Sequence, residues 1–371
     1  MAANVGNRGA GFSVARVGLV AVVLVAVAAV VYAVATSKLP EPSSERARAA
    51  VGMGQPVALQ LAERFADADD DLLADPPESP DDLIDPDPLT FCYIPSDDEP
   101  AEDADAWRAF TDHLARATGR PVEYLPIVAE NKRQATSLQL RALREGRLHV
   151  AGFNTGAVPQ AVNTAGFVPV ASPANAQGGD TYRMALIVPA NSPIHRIDDL
   201  DGHTLALTEP SSNSGYKAPL VLLLNEHGLA LERDFSTVLT FSHEASILGV
   251  ANRDYHIAAV ASDLIDPVLQ AHGVDRAAVR VVDQSPPFPR ATIGYAHNLQ
   301  HELADNIRKA VLGFQAGGDA MVDAFGSDGV DRFAPVSYKD DFALVRQIDS
   351  AFGARYENLA PNPNSNPNPR P

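Results

Sequence analysis

The sequence predicts an α/β protein built from two domains. At 371 residues, with 46% of them hydrophobic, the chain is longer than one typical domain and can bury a large core. Apolar runs of strand length alternate with amphipathic segments of helix length over most of the chain. This alternation favours mostly parallel sheets, whose ligand sites lie beyond the carboxyl ends of the strands, where loops enter helices.

The alternation begins with an apolar run. Leu89 to Pro95 predicts a strand, and the helix that follows it ends at Gly119. A second strand is expected at Val122 to Val128, and another helix leads to Gly146. A third strand is expected at Leu148 to Phe153. Later strands, with helices between them, are expected at Tyr182 to Val188, His203 to Thr208, Thr237 to Phe241, His256 to Ala261 and Val279 to Val282.

Charge and cysteine content exclude several kinds of partner and site. A formal net charge of −18 argues against a nucleic acid or an anionic lipid surface, because both are polyanions. An anionic small ligand would have to be held by short-range hydrogen bonds in a local pocket. The single cysteine, Cys92, cannot form an intramolecular disulfide or a cysteine-rich metal site, so a core thiol is expected.

The N-terminal segment has the pattern of a membrane anchor. Residues 17–35 are uninterrupted apolar and would extend about 28 Å as a helix at roughly 1.5 Å per residue, enough to span a bilayer. Residues 1–16 contain arginine but no acidic residue, which places them in the cytoplasm and the rest of the chain outside. Ala33 to Ala35 also fits a signal-peptidase site, so an uncleaved anchor and a cleaved segment both remain open.

An acidic, proline-rich linker and a polar tail flank the predicted domains. Residues 36–88 indicate a linker that lifts the domains off the membrane, with a short helical candidate around Val57 to Phe65. The acidic spacing in Asp67 to Glu78 imitates a calcium loop, but Leu72 stands where such a loop needs glycine. A solvated acidic run is therefore expected there. Residues 358–371 are of low complexity and are expected to be disordered.

The segment Leu205 to Pro219 (LALTEPSSNSGYKAP) is the most informative part of the chain. A strand ends, small hydroxyl and amide residues follow, and an apolar helix begins. The N–H groups at such a helix start, together with the positive end of the helix dipole, can hold an oxyanion. Ordinary N-capping accounts for one serine, whereas four polar donors in succession favour binding. The donors are Ser211, Ser212, Asn213 and Ser214, and Gly215 lets the backbone approach a ligand.

This segment resembles a known family. SSNSGYKAP looks like the Ser-Ser/Thr-x-Ser-Gly-Tyr…Pro signature of the substrate-binding proteins of phosphonate, phosphite and phosphate ABC transporters. The resemblance covers about residues 89–355 and includes six further segments in the family's order. They are SDDEP (96–100), ALREGRLHVAGFNTGA, Tyr182, SPIHRIDDLDGHTLALT, SHEASILGVANRDYHIAAVASD and SPPFP (285–289).

The resemblance implies a type II periplasmic-binding-protein fold, in which two α/β lobes joined by two crossover strands close over a ligand. The first lobe would comprise residues 89–185 and 283–357, and the second lobe residues 186–282. The implied function is extracytoplasmic capture of a small phosphorus oxyanion (phosphate, phosphite or a phosphonate) for delivery to an ABC transporter permease. A membrane-anchored sensor or scaffold that signals through a partner protein is the alternative.

The resemblance also implies roles for residues outside the serine-rich segment. His243 matches a histidine that joins the serine-rich turn in holding the phosphoryl group, and Tyr182 matches an aromatic hydrogen-bond donor near the hinge. Phe153 and Asn154 match the loop after the third strand. Asp263 lies where some members place a polar contact to the ligand's substituent. Structural alternatives remain open for these residues: helix capping for His243 and Asp263, and packing for Tyr182, Phe153 and Asn154.

No enzyme, cofactor or metal site is predicted. The sequence has no GxSxG, P-loop, HExxH or dinucleotide-binding motif. His149, His243 and His256 fall at the ends of different strands without the spacing of metal ligands. A binding protein is therefore expected.

Overall fold

The computed structural model describes residues 59–94, 104–129, 132–175, 178–179, 181–231, 233–315 and 330–353. The apolar run at 17–35, the SDDEP segment and the C-terminal tail of the sequence analysis lie outside these ranges. None of the helices in the described part is both long and apolar enough to cross a membrane.

Helices and strands alternate along the described residues. The helices are α1 (Arg108–Thr118), α2 (Lys132–Arg144), α3 (Val158–Ala165), α4 (Ala218–His227), α5 (His243–Ala251), α6 (Ile265–Ala271), α7 (His301–Gly313) and α8 (Ala343–Phe352). The strands are β1 (Leu89–Tyr93), β2 (Val122–Tyr124), β3 (Val150–Phe153), β4 (Phe167–Asn175), β5 (Gly178–Gly179), β6 (Thr181–Tyr182), β7 (Met184–Pro189), β8 (Thr204–Leu207), β9 (Ser236–Leu239), β10 (Ile257–Ala261), β11 (Val279–Gln284), β12 (Phe288–Pro289), β13 (Thr292–Ala296) and β14 (Arg332–Pro335).

The first sheet has the order β14-β4-β13-β3-β1-β2, and β5 pairs with β4. Strand β1 runs parallel to β2 and β3. The pairs β13–β3, β13–β4, β14–β4 and β4–β5 are antiparallel. The expectation of mostly parallel sheets is therefore wrong, because β4, β13 and β14 were not recognised as strands and all of them enter the sheet against their neighbours.

The second sheet has the order β11-β7-β10-β8-β9. Strand β8 is parallel to β9 and β10, whereas β7 is antiparallel to β10 and β11. A two-stranded ribbon of β6 and β12 lies between the sheets along the chain, with Tyr182 opposite Phe288. The chain passes from the first sheet to the second after β6 and returns after β12. This double crossing is the connectivity expected of the type II periplasmic-binding-protein fold.

Aromatic side chains fill one face of the first sheet. The Phe91 ring of β1 lies 4.9 Å from Trp107 and 5.1 Å from Phe110 of α1, measured between ring centroids. Cys92, on the same strand, is 1% exposed, and burial raises the pKa of its thiol to about 12. Cys92 is thus a core thiol, as predicted.

Residues 59–88 lie against the folded domain instead of forming a free linker. The Ala62 N–H donates to the Asn163 carbonyl at 2.9 Å, Ile84 forms a bridge to Leu299, and Ala74 is 4% exposed. No helix forms over 59–65, where the Phe65 N–H donates to the Ala62 carbonyl in a single turn. The carboxylate of Asp67 accepts the N–H groups of Asp71 and Leu72, so it serves the loop's own backbone.

Candidate functional site

The carboxyl ends of β3, β8, β9 and β10 border one cavity. Each of these strands leads into a turn or helix start that lines the cavity, as expected for a ligand site in an α/β fold. The cavity has a volume of about 90 Å³. This is several times the roughly 10–15 Å³ that a cavity needs to hold one water molecule. A ligand of a few heavy atoms fits this space.

The serine-rich segment forms a π-helical turn, Asn213–Lys217, that runs directly into α4. Ser212 caps the turn, because its Oγ accepts the Gly215 N–H at 3.0 Å. The Lys217 N–H reaches the Ser212 carbonyl at 3.1 Å and closes the first turn. The amides of Asn213 and Ser214 precede this bond and therefore have no acceptor within the helix. They form the helix start predicted to hold an oxyanion.

Two polar side chains of the cavity wall are buried without a hydrogen-bond partner among the described residues. The amide nitrogen and oxygen of Asn213, which is 3% exposed, lack a partner, and so does the hydroxyl of Thr208, which is 1% exposed. Leaving such groups unsatisfied costs about 1–3 kcal/mol each. The Thr208 hydroxyl lies against Gly215, whereas Asn213 lines the cavity beside the helix start and is the better placed of the two to meet a polar ligand.

Two residues of the same segment do not line the cavity. The Ser211 hydroxyl donates to the Glu209 carboxylate. Gly215 packs directly on Thr208. A Cβ at position 215 would collide with the Thr208 hydroxyl, and the Gly215 carbonyl accepts the Thr208 N–H at 2.9 Å. The glycine therefore permits close packing of the turn on β8, where it was expected to let the backbone approach a ligand.

His243 lines the cavity, and its hydrogen bonds define its tautomer. Its Nδ1 accepts the Ala261 N–H at 3.1 Å, so in the neutral ring the proton sits on Nε2. The Nε2 atom lies 3.4 Å from Ser212 Oγ, at the capped start of the π-helical turn. The cap of α5 is Ser242, whose Oγ accepts the Ala245 N–H. His243 is thus not the capping residue, and it can donate a hydrogen bond from Nε2.

Tyr182 also lines the cavity. Burial raises the pKa of its phenol, while the nearby polar side chains of Thr155, Asn213 and Ser214 act in the opposite direction. The phenol therefore keeps its proton at neutral pH and can donate to an anion.

The loop after β3 contributes one of its two predicted residues. Asn154 lines the cavity, and its Oδ1 accepts the Ala157 N–H at 3.0 Å before α3 begins. Phe153 does not line it: the side chain is 1% exposed and its ring packs 4.9 Å from Phe167. A Cβ on Gly156 would lie 2.6 Å from the Ser211 carbonyl oxygen. Gly156 thus lets this loop of the first sheet meet the serine-rich turn of the second.

Asp263 lines the cavity as part of an ion pair that the sequence analysis missed. The Nη1 atom of Arg290 lies 2.9 Å from the Asp263 Oδ2 atom. Phe241 was missed as a lining residue as well. It is 61% exposed and has a φ of 64°, a conformation that is rare for a bulky side chain and is concentrated at functional sites. The signal that could have identified Arg290 is its position directly after SPPFP.

The candidate metal ligands of the described residues lie elsewhere. Asp67, Asp69 and Asp71 bring their carboxylates within 4.8 Å of one another on the domain surface. His149 is not part of this cluster: its ring forms hydrogen bonds with the backbone of Thr90 and Gly146, and burial lowers its pKa. These contacts are those of a structural histidine.

Comparisons with known proteins agree on one family. A family model described as "ABC transporter, phosphonate, periplasmic substrate-binding protein" matches residues 92–342. A phosphonates-binding periplasmic protein of Escherichia coli (strain K12) is 25% identical over 172 residues, which are 45% of this chain and 51% of that protein. The chain thus spans about half the length of this relative.

Two solved structures share the fold. A binding-protein component of an ABC phosphonate transporter from Pseudomonas aeruginosa has a TM-score of 0.55 and 20% identity, over 71% of this chain and 86% of that one. PhnD1 from Prochlorococcus marinus, in complex with methylphosphonate, has a TM-score of 0.55 and 16% identity, over 71% of this chain and 98% of that one.

Proposed function

The chain belongs to the family of periplasmic substrate-binding proteins of phosphonate ABC transporters, and we propose that it captures a small phosphorus oxyanion and delivers it to such a transporter's permease. Its relatives are binding proteins and not enzymes. The oxyanion would enter the cavity between the β3 loop and the serine-rich turn.

The observation that carries this proposal is the convergence of donors on one cavity. Asn213 and Ser214 at the helix start, His243 and Tyr182 all line it, and each of them carries a hydrogen-bond donor. An oxyanion there would be surrounded by donors that the fold already holds in position. Hydrogen bonds to a charged group contribute about 1.5–3 kcal/mol each, so three or four suffice for tight capture.

Short-range donors also fit the charge of the chain. With a net charge of −18, the long-range field repels an anion, so affinity has to come from contacts inside the cavity. The helix starts at Asn213 and at His243 place the positive ends of two backbone dipoles beside the ligand space.

The test is calorimetric titration and thermal-shift measurement of the full-length chain in detergent, after removal of carried-over ligand. Phosphate, phosphite, methylphosphonate, sulfate and acetate are compared, because a ligand that binds only the native state raises the melting temperature. We expect a shift with at least one phosphorus oxyanion, abolished in the Ser212→Ala, Ser214→Ala double variant. The matched control is Ser211→Ala, whose hydroxyl lies outside the cavity lining. Unchanged affinity in the double variant would contradict the site.

We further propose that residues 17–35 hold the binding domain at the outer face of the inner membrane, either as an uncleaved anchor or until cleavage. The support is the uninterrupted apolar run preceded by arginine. N-terminal sequencing of the protein in membrane and soluble fractions distinguishes the two cases. A soluble protein that keeps its N-terminus would contradict the proposal.

A further inference from the structure

Two lining residues of the cavity, Asp263 and Arg290, form an ion pair with each other. The Asp263 and Arg290 side chains are 18% and 13% exposed, and their charged atoms lie 2.9 Å apart. Asp263 belongs to the turn Ser262–Leu264 after β10, and Arg290 follows β12 of the ribbon. Both line the same space as the serine-rich turn.

The other charges of the cavity lining are few. Among the described lining residues, Arg290 is the one arginine or lysine, and Glu209 and Asp263 are the carboxylates. Glu209 accepts the Ser211 hydroxyl, a neutral donor. A guanidinium stays protonated at any physiological pH, so the charge of Asp263 is balanced by the protein before a ligand arrives.

This arrangement bears on the substituent that a bound phosphonate would carry. An ammonium group that approached Asp263 would meet the Arg290 charge at the same carboxylate. Either two cations would share one carboxylate, or the guanidinium would give up its ion pair with Asp263 in largely buried surroundings, and both arrangements are unfavourable. A methyl or hydroxyl substituent incurs neither penalty, and a hydroxyl oxygen can accept a hydrogen bond from a guanidinium.

We propose that the Asp263–Arg290 pair determines the specificity of the cavity by rejecting aminoalkyl substituents and admitting phosphonates with an uncharged alkyl or hydroxyalkyl substituent. The inference rests on the proposed function, since it assigns the substrate class of that same cavity. It adds to the oxyanion donors a second recognition element in the same cavity.

The test uses two ligands of equal size that differ in one group, 2-hydroxyethylphosphonate and 2-aminoethylphosphonate. Their dissociation constants for the full-length protein are measured by calorimetry at pH 7, with methylphosphonate as the reference. We expect the wild type to bind the hydroxyl ligand about tenfold or more tightly than the amino ligand, the size of one charge-assisted hydrogen bond.

Removing the guanidinium should relax this preference. In Arg290→Met, Asp263 becomes available to an ammonium, and the hydroxyl-to-amino ratio should fall about tenfold or reverse. The matched control is Arg280→Gln, because the Arg280 guanidinium binds the Ser192 and Ile194 carbonyls outside the cavity lining, and its loss should leave the ratio unchanged. Should Arg290→Met not fold, the Asp263→Asn, Arg290→Met double variant leaves no carboxylate behind and should bring the ratio toward one.

The outcomes separate this inference from the proposed function. If the wild type binds methylphosphonate but also binds the amino ligand as tightly as the hydroxyl ligand, the specificity role is overturned and oxyanion capture stands. If the amino ligand is preferred and the preference disappears in Glu209→Gln, Glu209 recognises the amine and the inference is again overturned. If none of the three ligands binds, the proposed function fails together with it.

Discussion

The Lys217 Nζ atom lies 2.7 Å from the Asp349 Oδ1 atom, in an ion pair whose carboxylate is completely buried. The same ammonium donates to the Gly156 carbonyl at 2.8 Å. One cation therefore ties the π-helical turn of the candidate site to α8 and to the loop after β3, without itself lining the cavity.

The first prediction concerns this ion pair. In Lys217→Met, the buried Asp349 loses its cation, and we expect the free energy of unfolding to fall by about 3–5 kcal/mol, measured by urea denaturation. Lys339→Met is the control, because its partner Asp70 is 85% exposed and such surface pairs contribute only about 0–1 kcal/mol. Equal losses in the two variants would contradict a stabilising role for the buried pair.

The second prediction concerns the contact between the β3 loop and the serine-rich turn. In Gly156→Ala, the added Cβ lies within 2.6 Å of the Ser211 carbonyl oxygen and 3.0 Å of the Asn213 nitrogen, so the two segments must separate. Overpacking of this kind costs about 1–3 kcal/mol, which corresponds to roughly a 5- to 150-fold loss of oxyanion affinity in calorimetry. Gly313→Ala is the control, since no atom lies within 4 Å of a Cβ there. Wild-type affinity in Gly156→Ala would show that the contact is dispensable.

The third prediction concerns His243 as a donor. His243→Ala removes the Nε2–H and should weaken oxyanion binding roughly 10- to 150-fold, the equivalent of one hydrogen bond to a charged group. His243→Gln keeps an amide N–H at a similar reach and should recover part of the loss. Unchanged oxyanion affinity in His243→Ala would refute the donor role, since that variant has no side-chain N–H at this position.

The fourth prediction concerns the stability of the fold at acidic pH. Burial, and next the charge of Arg64, lower the pKa of His297 to about 4, below the value of about 6.5 for an unfolded histidine. Between these two pKa values the unfolded chain binds a proton that the folded chain does not. The contribution of His297 to the free energy of unfolding is therefore complete above pH 6.5 and is lost as the pH falls toward 4.

Removing that histidine should make the decline less steep. The urea midpoint of His297→Gln should fall less between pH 6.5 and 4.5 than that of the wild type. His301→Gln, at the exposed start of α7, serves as the control and should keep the wild-type slope. Identical slopes in all three proteins would exclude His297 as a source of the acid sensitivity.

Local sequence patterns predicted most of the elements that border the site. Strands β3, β8 and β10 are short apolar runs followed by polar residues, and helix caps such as Ser212 and Ser242 are encoded within a few residues of the turns they stabilise. The direction of strand pairing was predicted wrongly as mostly parallel, because it depends on partners distant in the chain. Strand β4 was missed because two prolines interrupt its apolar pattern.

The residues missed at the site share a physical cause. Arg290 is placed by its pairing with Asp263, and Lys217 by its pairing with Asp349, 132 positions away. Neither arginine nor lysine carries a local signal that distinguishes a buried, paired cation from a solvated one. Conversely, the family resemblance assigned Phe153 to the ligand together with Asn154, yet side chains alternate between the two faces of a strand, and the Phe153 ring packs in the core.

The ribbon of β6 and β12 lies between the two sheets along the chain and borders the cavity. Among the described residues it has two paired positions, Tyr182 with Phe288 and Thr181 with Pro289. Tyr182 is both a paired residue of this ribbon and a lining residue of the cavity. A ligand that contacts the Tyr182 phenol would therefore touch the connection between the two sheets itself.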